Sequence, residues 1–224
     1  MTTTQIESYQ VPTHGDVFID VGANIGMWTK ALYPHWNKIY FIEPSEAATQ
    51  QAQAEIADPD NKIVYMRNLC SSKAGERYNI YSPSQETGNF SIYGAELYEQ
   101  RIGIQQREDN IETITVDSLI DQIPAQSKVL LKVDTEGHDL DVLLGASELI
   151  KKFLPIVACE VHFHMHFEES KLQRVLDLFT YLGYFRQDNK SPWYHGSNLV
   201  DGIHTGDQMR DLHFQILWTP KLRV

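Results

Sequence analysis

At 224 residues the chain is long enough for one sizeable α/β domain with a small insert, and its composition is that of an ordinary globular protein. The formal net charge of −11 argues against a large basic groove for nucleic acid. Cys70 and Cys159 are too few for a disulfide framework, so a reducing cytoplasmic setting is expected. Met1 to His14 lacks the basic and apolar regions of a secretory leader, and no apolar run approaches the roughly 18 residues of a membrane span.

Residues 1–15 read as an N-terminal arm ahead of the fold. From Val17 to Val21 the chain is apolar and β-branched apart from Asp20, the pattern of a central parallel strand covered on both faces. Gly22 and Gly26 bracket a short loop, and a helix from about Gly26 should end before Pro34. A second strand over 38–43 ends in Glu43, about 20 residues past the glycine loop. An acid there is well placed to accept hydrogen bonds from ribose hydroxyls. Pro44 and Ser45 open a helix carrying Ala47, Ala48, Ala52 and Ala54, which stops before the turn cluster Asp58-Pro59-Asp60-Asn61. Lys62 to Met66 is a third strand. Asn68 to Ser71 leaves its carboxyl end towards the same crevice, either as a contact for an adenine ring or as a plain loop.

A pyrophosphate-binding fingerprint would place glycines at the positions held by Asn24 and Met27, so the dinucleotide pattern fails. What stands instead is D-x-G-x-x-x-G, with Asp20 just before the loop. Its carboxylate disfavours a pyrophosphate and suits an amino group. A ligand with a ribose, an amino-acid end and no phosphate fits, and S-adenosylmethionine is one.

Residues 71–126 are not a single helix. Strands are predicted over 76–81 and 111–116, with a mobile loop near 84–107 and a stretch at 97–107 that is helical or loose. Asp117 should cap a short helix ending near Pro124. The region is expected to be an insert beside the sheet, covering an acceptor. Asn89, Ser91, Tyr93 and Tyr98 either touch a substrate or are solvated.

Lys128 to Val133 returns to the core as a strand. Asp134, Glu136 and His138 then leave its end within five residues, which is costly unless they face a ligand, a metal or each other. Asp139 begins a leucine-rich helix, and a fifth strand over 155–161 runs into Glu160, His162, His164 and His166 at alternating positions. Asp134, Glu160, His162 and His164 are a possible divalent metal set, and packed or surface histidines are the favoured alternative. A helix over 168–182 carries a core stripe, and the last strands come from 184–185 and 212–218.

D-V-G-A-N-I-G, F-I-E-P, L-K-V-D-T-E-G-H-D-L-D-V-L-L-G-A and E-V-H, spread over about 16–164, resemble the FkbM-type family of S-adenosylmethionine-dependent methyltransferases. The D-x-E-G-x-D segment ahead of a leucine-rich helix is the most specific of these. The resemblance implies a single domain over 1–224. Its fold would be a doubly wound, mostly parallel seven-stranded α/β sheet of the Rossmann-like class I type, with a reversed final strand and an inserted β-rich region. It implies O-methylation of a small-molecule, sugar or lipid-like hydroxyl. Asp20, Gly22, Ala23, Asn24 and Gly26 would line the methionine end of the cofactor. Glu43 would hold the ribose, with Asn68 and Asp134 completing the cofactor site. Asp134, Glu136, Glu160 and His162 would face the acceptor. His162 is the first choice for base, because a neutral imidazole titrates near working pH. Two other classes stay open: a nicotinamide-dependent oxidoreductase and a catalytically silent nucleoside-binding protein.

Overall fold

The computed structural model describes residues 3–7, 9–82, 90–93, 106–163, 168–187 and 212–220, with the backbone alone at 162, 163, 185–187 and 212–216. Its centre is a seven-stranded sheet made of β3 (Gly15–Val21), β4 (Trp36–Ile42), β5 (Ile63–Met66), β9 (Val129–Val133), β10 (Ile156–Phe163), β11 (Tyr184–Gln187) and β12 (Leu212–Pro220). The spatial order is β11-β12-β10-β9-β3-β4-β5. All neighbours from β10 to β5 are parallel, and β12 alone is reversed, lying antiparallel to both β10 and β11.

The central strands are nearly continuous apolar runs because helices cover both faces. Alternation decides which face each residue serves. Val17, Ile19 and Val21 of β3, with Leu131 and Val133 of β9, join α3 (Asp139–Leu144), α4 (Ser147–Phe153) and α5 (Glu169–Tyr181) in one core. Phe18 and Leu130 point the other way, into a second core with Trp28 and Leu32 of α1 (Met27–Leu32) and Ala52 of α2 (Glu46–Glu55). Asp20 and Lys132 therefore fall on this second face, where the sheet is otherwise apolar.

Residues 3–12, read as an arm, form a hairpin of β1 (Thr3–Ile6) and β2 (Tyr9–Pro12) whose Ile6, Tyr9 and Val11 are buried in the second core. The insert builds its own three-stranded sheet, in the order β6 (Leu69–Cys70), β8 (Gln106–Ile114), β7 (Arg77–Ser82). Leu69, Ile80 and Ile111 form its core, with Tyr78, Phe90 and Ile92 against them. Asn89 and Tyr98 lie outside the described residues, as does most of the loop expected near 84–107.

Ser45, read as opening the helix, is the N-cap of α2 and accepts from the Ala48 amide at 3.3 Å. Asp117 does not cap the turn it begins. It lies inside a 3-10 turn over Val116–Gln122, and its carboxylate accepts the amides of Leu149 (2.8 Å) and Glu148 (3.2 Å), capping α4 from a distance. Asp117→Ala is expected to cost about 1 kcal/mol. Urea unfolding checks this, and an unchanged midpoint would deny the cap. Among the described residues no helix is long and apolar enough to cross a membrane.

Candidate active site

From β3 the chain steps outwards through β4 to β5, then returns to the other side of β3 with β9 and β10. The carboxyl ends of β3 and β9 flank this reversal, the place where open α/β sheets bind ligands. A crevice of about 630 Å³, including its mouth, opens there. Its floor and sides are Val21, Gly22, Asn24, Ile42, Glu43 and Pro44, then Asn68, Leu69 and Cys70, then the turn Asp134–Thr135–Glu136 and His138. Phe90 and Ile92 of the insert complete the lining.

The glycine loop is held down by its backbone. The amides of Gly22 and Ala23 both donate to the Ile42 carbonyl, at 2.9 and 3.2 Å. Gly22 has φ +68°, and a Cβ there would stand 1.7 Å from the Asp134 carbonyl oxygen. Gly26 has φ +82°, and its missing side chain makes room for Ile56 rather than for a ligand. Gly26 and Ala23 accordingly do not line the crevice.

Glu43 is buried at the end of β4. One carboxylate oxygen accepts from the Asn24 amide at 2.9 Å and the other from the Ser45 amide at 2.8 Å. Burial pushes its pKa up to about 7, against the pull of those amides and of Lys132. Each oxygen keeps a lone pair for a further donor. Beside it, the buried Asn24 side-chain oxygen has no hydrogen-bond partner among the described residues. Two acceptors thus stand side by side in the crevice wall.

Asp20, expected to face the cofactor, is fully buried beneath the loop and does not line the crevice. It accepts the Thr29 hydroxyl at 2.7 Å and lies 3.5 Å from the Lys132 ammonium. Lys132 is the residue that sequence reasoning passed over. It also lies 3.5 Å from the Asp134 carboxylate and donates to the Gly22 carbonyl. Its signal was legible: a lysine inside an apolar strand must find a counter-charge.

The Asp134–His138 turn is tight, with Glu136 at φ 52° and Gly137 at φ 106°. Asp139 fastens it by accepting from the Thr135 amide (2.7 Å) and hydroxyl (2.8 Å). Ser91 of the insert donates its hydroxyl to the Glu136 carbonyl at 2.9 Å. His138, given no role in the sequence reading, is buried with Nε2 3.0 Å from the Ser71 hydroxyl and Nδ1 3.5 Å from the Tyr93 hydroxyl. Burial lowers its pKa, favouring the neutral ring. The Cys70 thiol is pushed up to about 12 by burial, so it is no thiolate nucleophile.

The glycine loop, Glu43 and the acidic turn meet in the span that one family model covers. That model, the methyltransferase FkbM domain, matches residues 20–185. The chain belongs to the FkbM methyltransferase-domain family. It is 28% identical over 155 residues to "Methyltransferase 1" of Beauveria bassiana (strain ARSEF 2860), covering 61% of this chain and 61% of that protein. It is 24% identical over 147 residues to the hexuronic acid methyltransferase AglP of Haloferax volcanii, covering 66% of this chain and 56% of that protein. The match thus takes in about three-fifths of each curated relative's length. Among solved structures, the methyltransferase FkbM from Methylobacillus flagellatus KT shares the fold, with a TM-score of 0.51 and 16% identity over 92% of this chain and 44% of that chain.

The FkbM motif E-V-H lies on β10. Cys159 pairs with Val133 across the sheet, so Glu160, still within β10, lies beside the point where Asp134 leaves β9. Glu160 is half-buried and outside the crevice lining. His162 is paired through its backbone with His213 of β12, and its side chain lies outside the described residues, as do His164 and His166. Among the described residues no group of three or more His, Cys, Asp or Glu is arranged to hold a metal ion.

Proposed function

We propose that this FkbM-family chain transfers a methyl group from S-adenosylmethionine to a hydroxyl on a small-molecule, sugar or lipid-like acceptor. The observation that carries the reading is Glu43, a buried carboxylate that lines the crevice beside a glycine loop without the dinucleotide spacing. The donor supplies a methyl already activated on a sulfonium, leaving a neutral thioether. Gly22, Asn24 and Glu43 then bind and orient it, with Asn68, Leu69 and Cys70 against the base. Phe90 and Ile92, tied down through Ser91, exclude water from the same crevice.

Asp134 and Glu136 are the carboxylates of the turn that lines the crevice after β9. His162, at the end of the neighbouring strand, is the base we assign, with Asp134 or Glu136 orienting it or taking the proton itself. A positioned base is worth about 10²–10⁴-fold. The insert over 71–126 is assigned to acceptor choice. The likeness to AglP, whose name declares a hexuronic acid substrate, makes sugar hydroxyls the first acceptors to screen.

Calorimetric titration with S-adenosylhomocysteine and, separately, with NADH tests the reading. Micromolar binding of the first and none of the second is expected. Binding of NADH alone would replace methyl transfer with a nicotinamide reaction, and labelled methyl donor would then find no acceptor.

A further inference from the structure

Lys132 occupies the middle of the sheet, in β9 between Asp20 of β3 and Ala158 of β10, with its side chain 7% exposed. An ammonium there is expensive unless each proton finds an acceptor. It donates to the Gly22 carbonyl, and two carboxylate oxygens stand 3.5 Å away as its ion-pair partners, Asp20 Oδ1 and Asp134 Oδ2. The other Asp20 oxygen holds the Thr29 hydroxyl. Asp20 is thus spent inside the protein, on the lysine and on α1, and is shut off from the crevice.

Asp134 differs. Its side chain is 31% exposed and it lines the crevice beside Gly22. Two carboxylates stand at one ammonium, and of the two only Asp134 reaches the crevice. Glu43 and Glu7 add to the field of the same sign around Lys132.

We propose that Lys132 is a positioning residue for the amino-acid end of the methyl donor. It neutralises Asp20 beneath the loop, pins the Gly22 carbonyl, and aims Asp134 as the carboxylate that receives the ligand's α-ammonium. The inference rests on the S-adenosylmethionine reading and relocates the amine contact from Asp20, where the motif suggests it, to Asp134.

Two probes separate this role from mere structural support. S-Adenosylhomocysteine carries the amino-acid end, and 5′-methylthioadenosine keeps the nucleoside and thioether without it. In the wild type the first should bind at least about tenfold more tightly than the second. Lys132→Met and Asp134→Asn should each remove most of that difference while leaving 5′-methylthioadenosine affinity within about twofold. Where Lys132→Met fails to fold, Asp20→Asn with Lys132→Met removes both buried charges together, and the part-exposed Asp134→Asn stands by itself. Equal loss of both probes in Asp134→Asn would overturn the assignment, as would an undiminished preference for S-adenosylhomocysteine. A wild type that binds neither probe would sink the nucleoside reading and this inference with it. A wild type that binds both, with variants that keep the wild-type preference, would sink this inference alone.

Discussion

Glu43→Ala is expected to weaken S-adenosylhomocysteine binding by about a hundredfold or more. Hydrogen bonds to a charged acceptor contribute roughly 1.5–3 kcal/mol each, and a ribose offers two hydroxyls to one carboxylate. The Asn24 and Ser45 amides would lose their acceptor as well, so the loop that carries Gly22 loosens with the same substitution. The effect should depend on pH, because burial raises the Glu43 pKa from 4.5 to about 7. Only the ionised form is an acceptor at both oxygens. Wild-type affinity should therefore rise about tenfold between pH 6 and 8, with no such rise in Glu43→Ala.

Folding stability follows the opposite trend. A raised carboxyl pKa means that the folded chain keeps a proton which the unfolded chain has released between pH 4.5 and 7. The contribution is fully present below pH 4.5 and is lost as pH rises to about 7, on the order of 3 kcal/mol in all. Glu43→Gln should flatten that slope in urea unfolding measured across the same range. A pH-independent affinity in the wild type would show that ligand binding does not use this carboxylate.

Gly22→Ala is expected to be the most damaging single methyl group in the chain. A non-glycine residue at φ +68° costs about 1–2 kcal/mol by itself. The added Cβ would also overlap the backbone oxygen of Asp134, which cannot rotate away as a side-chain end can. Together these should exceed about 3 kcal/mol and lower the melting temperature by on the order of 10 °C. Binding should fail even in the fraction that stays folded, since the strand ends flanking the crevice must part. A variant with wild-type melting and wild-type affinity would mean that the two strand ends are less closely packed than the geometry requires.

Much of the architecture is legible from local pattern. The runs at β3, β4 and β9 announce a sheet buried on both faces, and Gly22 with Glu43 announces the crevice at its strand ends, because both signals depend on short spacing alone. Side-chain partners separated by a hundred residues are another matter. Asp20 carries the right charge for an amine, yet its partner is Lys132, brought alongside only by the pairing of β3 with β9. Asp117 looks like a local cap and serves a helix 30 residues on, because the 3-10 turn packs against α4. His138 reads as the last of a polar run, and its burial between Ser71 and Tyr93 depends on how the insert folds back. The Phe90–Tyr93 segment carries no motif, and only tertiary folding sets Phe90 and Ile92 beside the Glu136 turn.

The reversed strand has a consequence for how the chain is made. β12 lies between β10 and β11 and is the strand through which β11 joins the sheet. Until residues 212–220 have left the ribosome, β10 presents seven unpaired positions along one edge, Val157 to Phe163, and β11 has no neighbour to dock on. The crevice, by contrast, draws its lining from residues up to His138 and is complete once β10 has formed. A nascent chain would thus possess a ligand site before it possesses a closed sheet, with a bare edge of the kind that recruits strands from other chains. Under the function proposed above, methyl-donor capture on the ribosome would stabilise that intermediate by mass action, and the supply of donor would then bear on yield as well as on turnover.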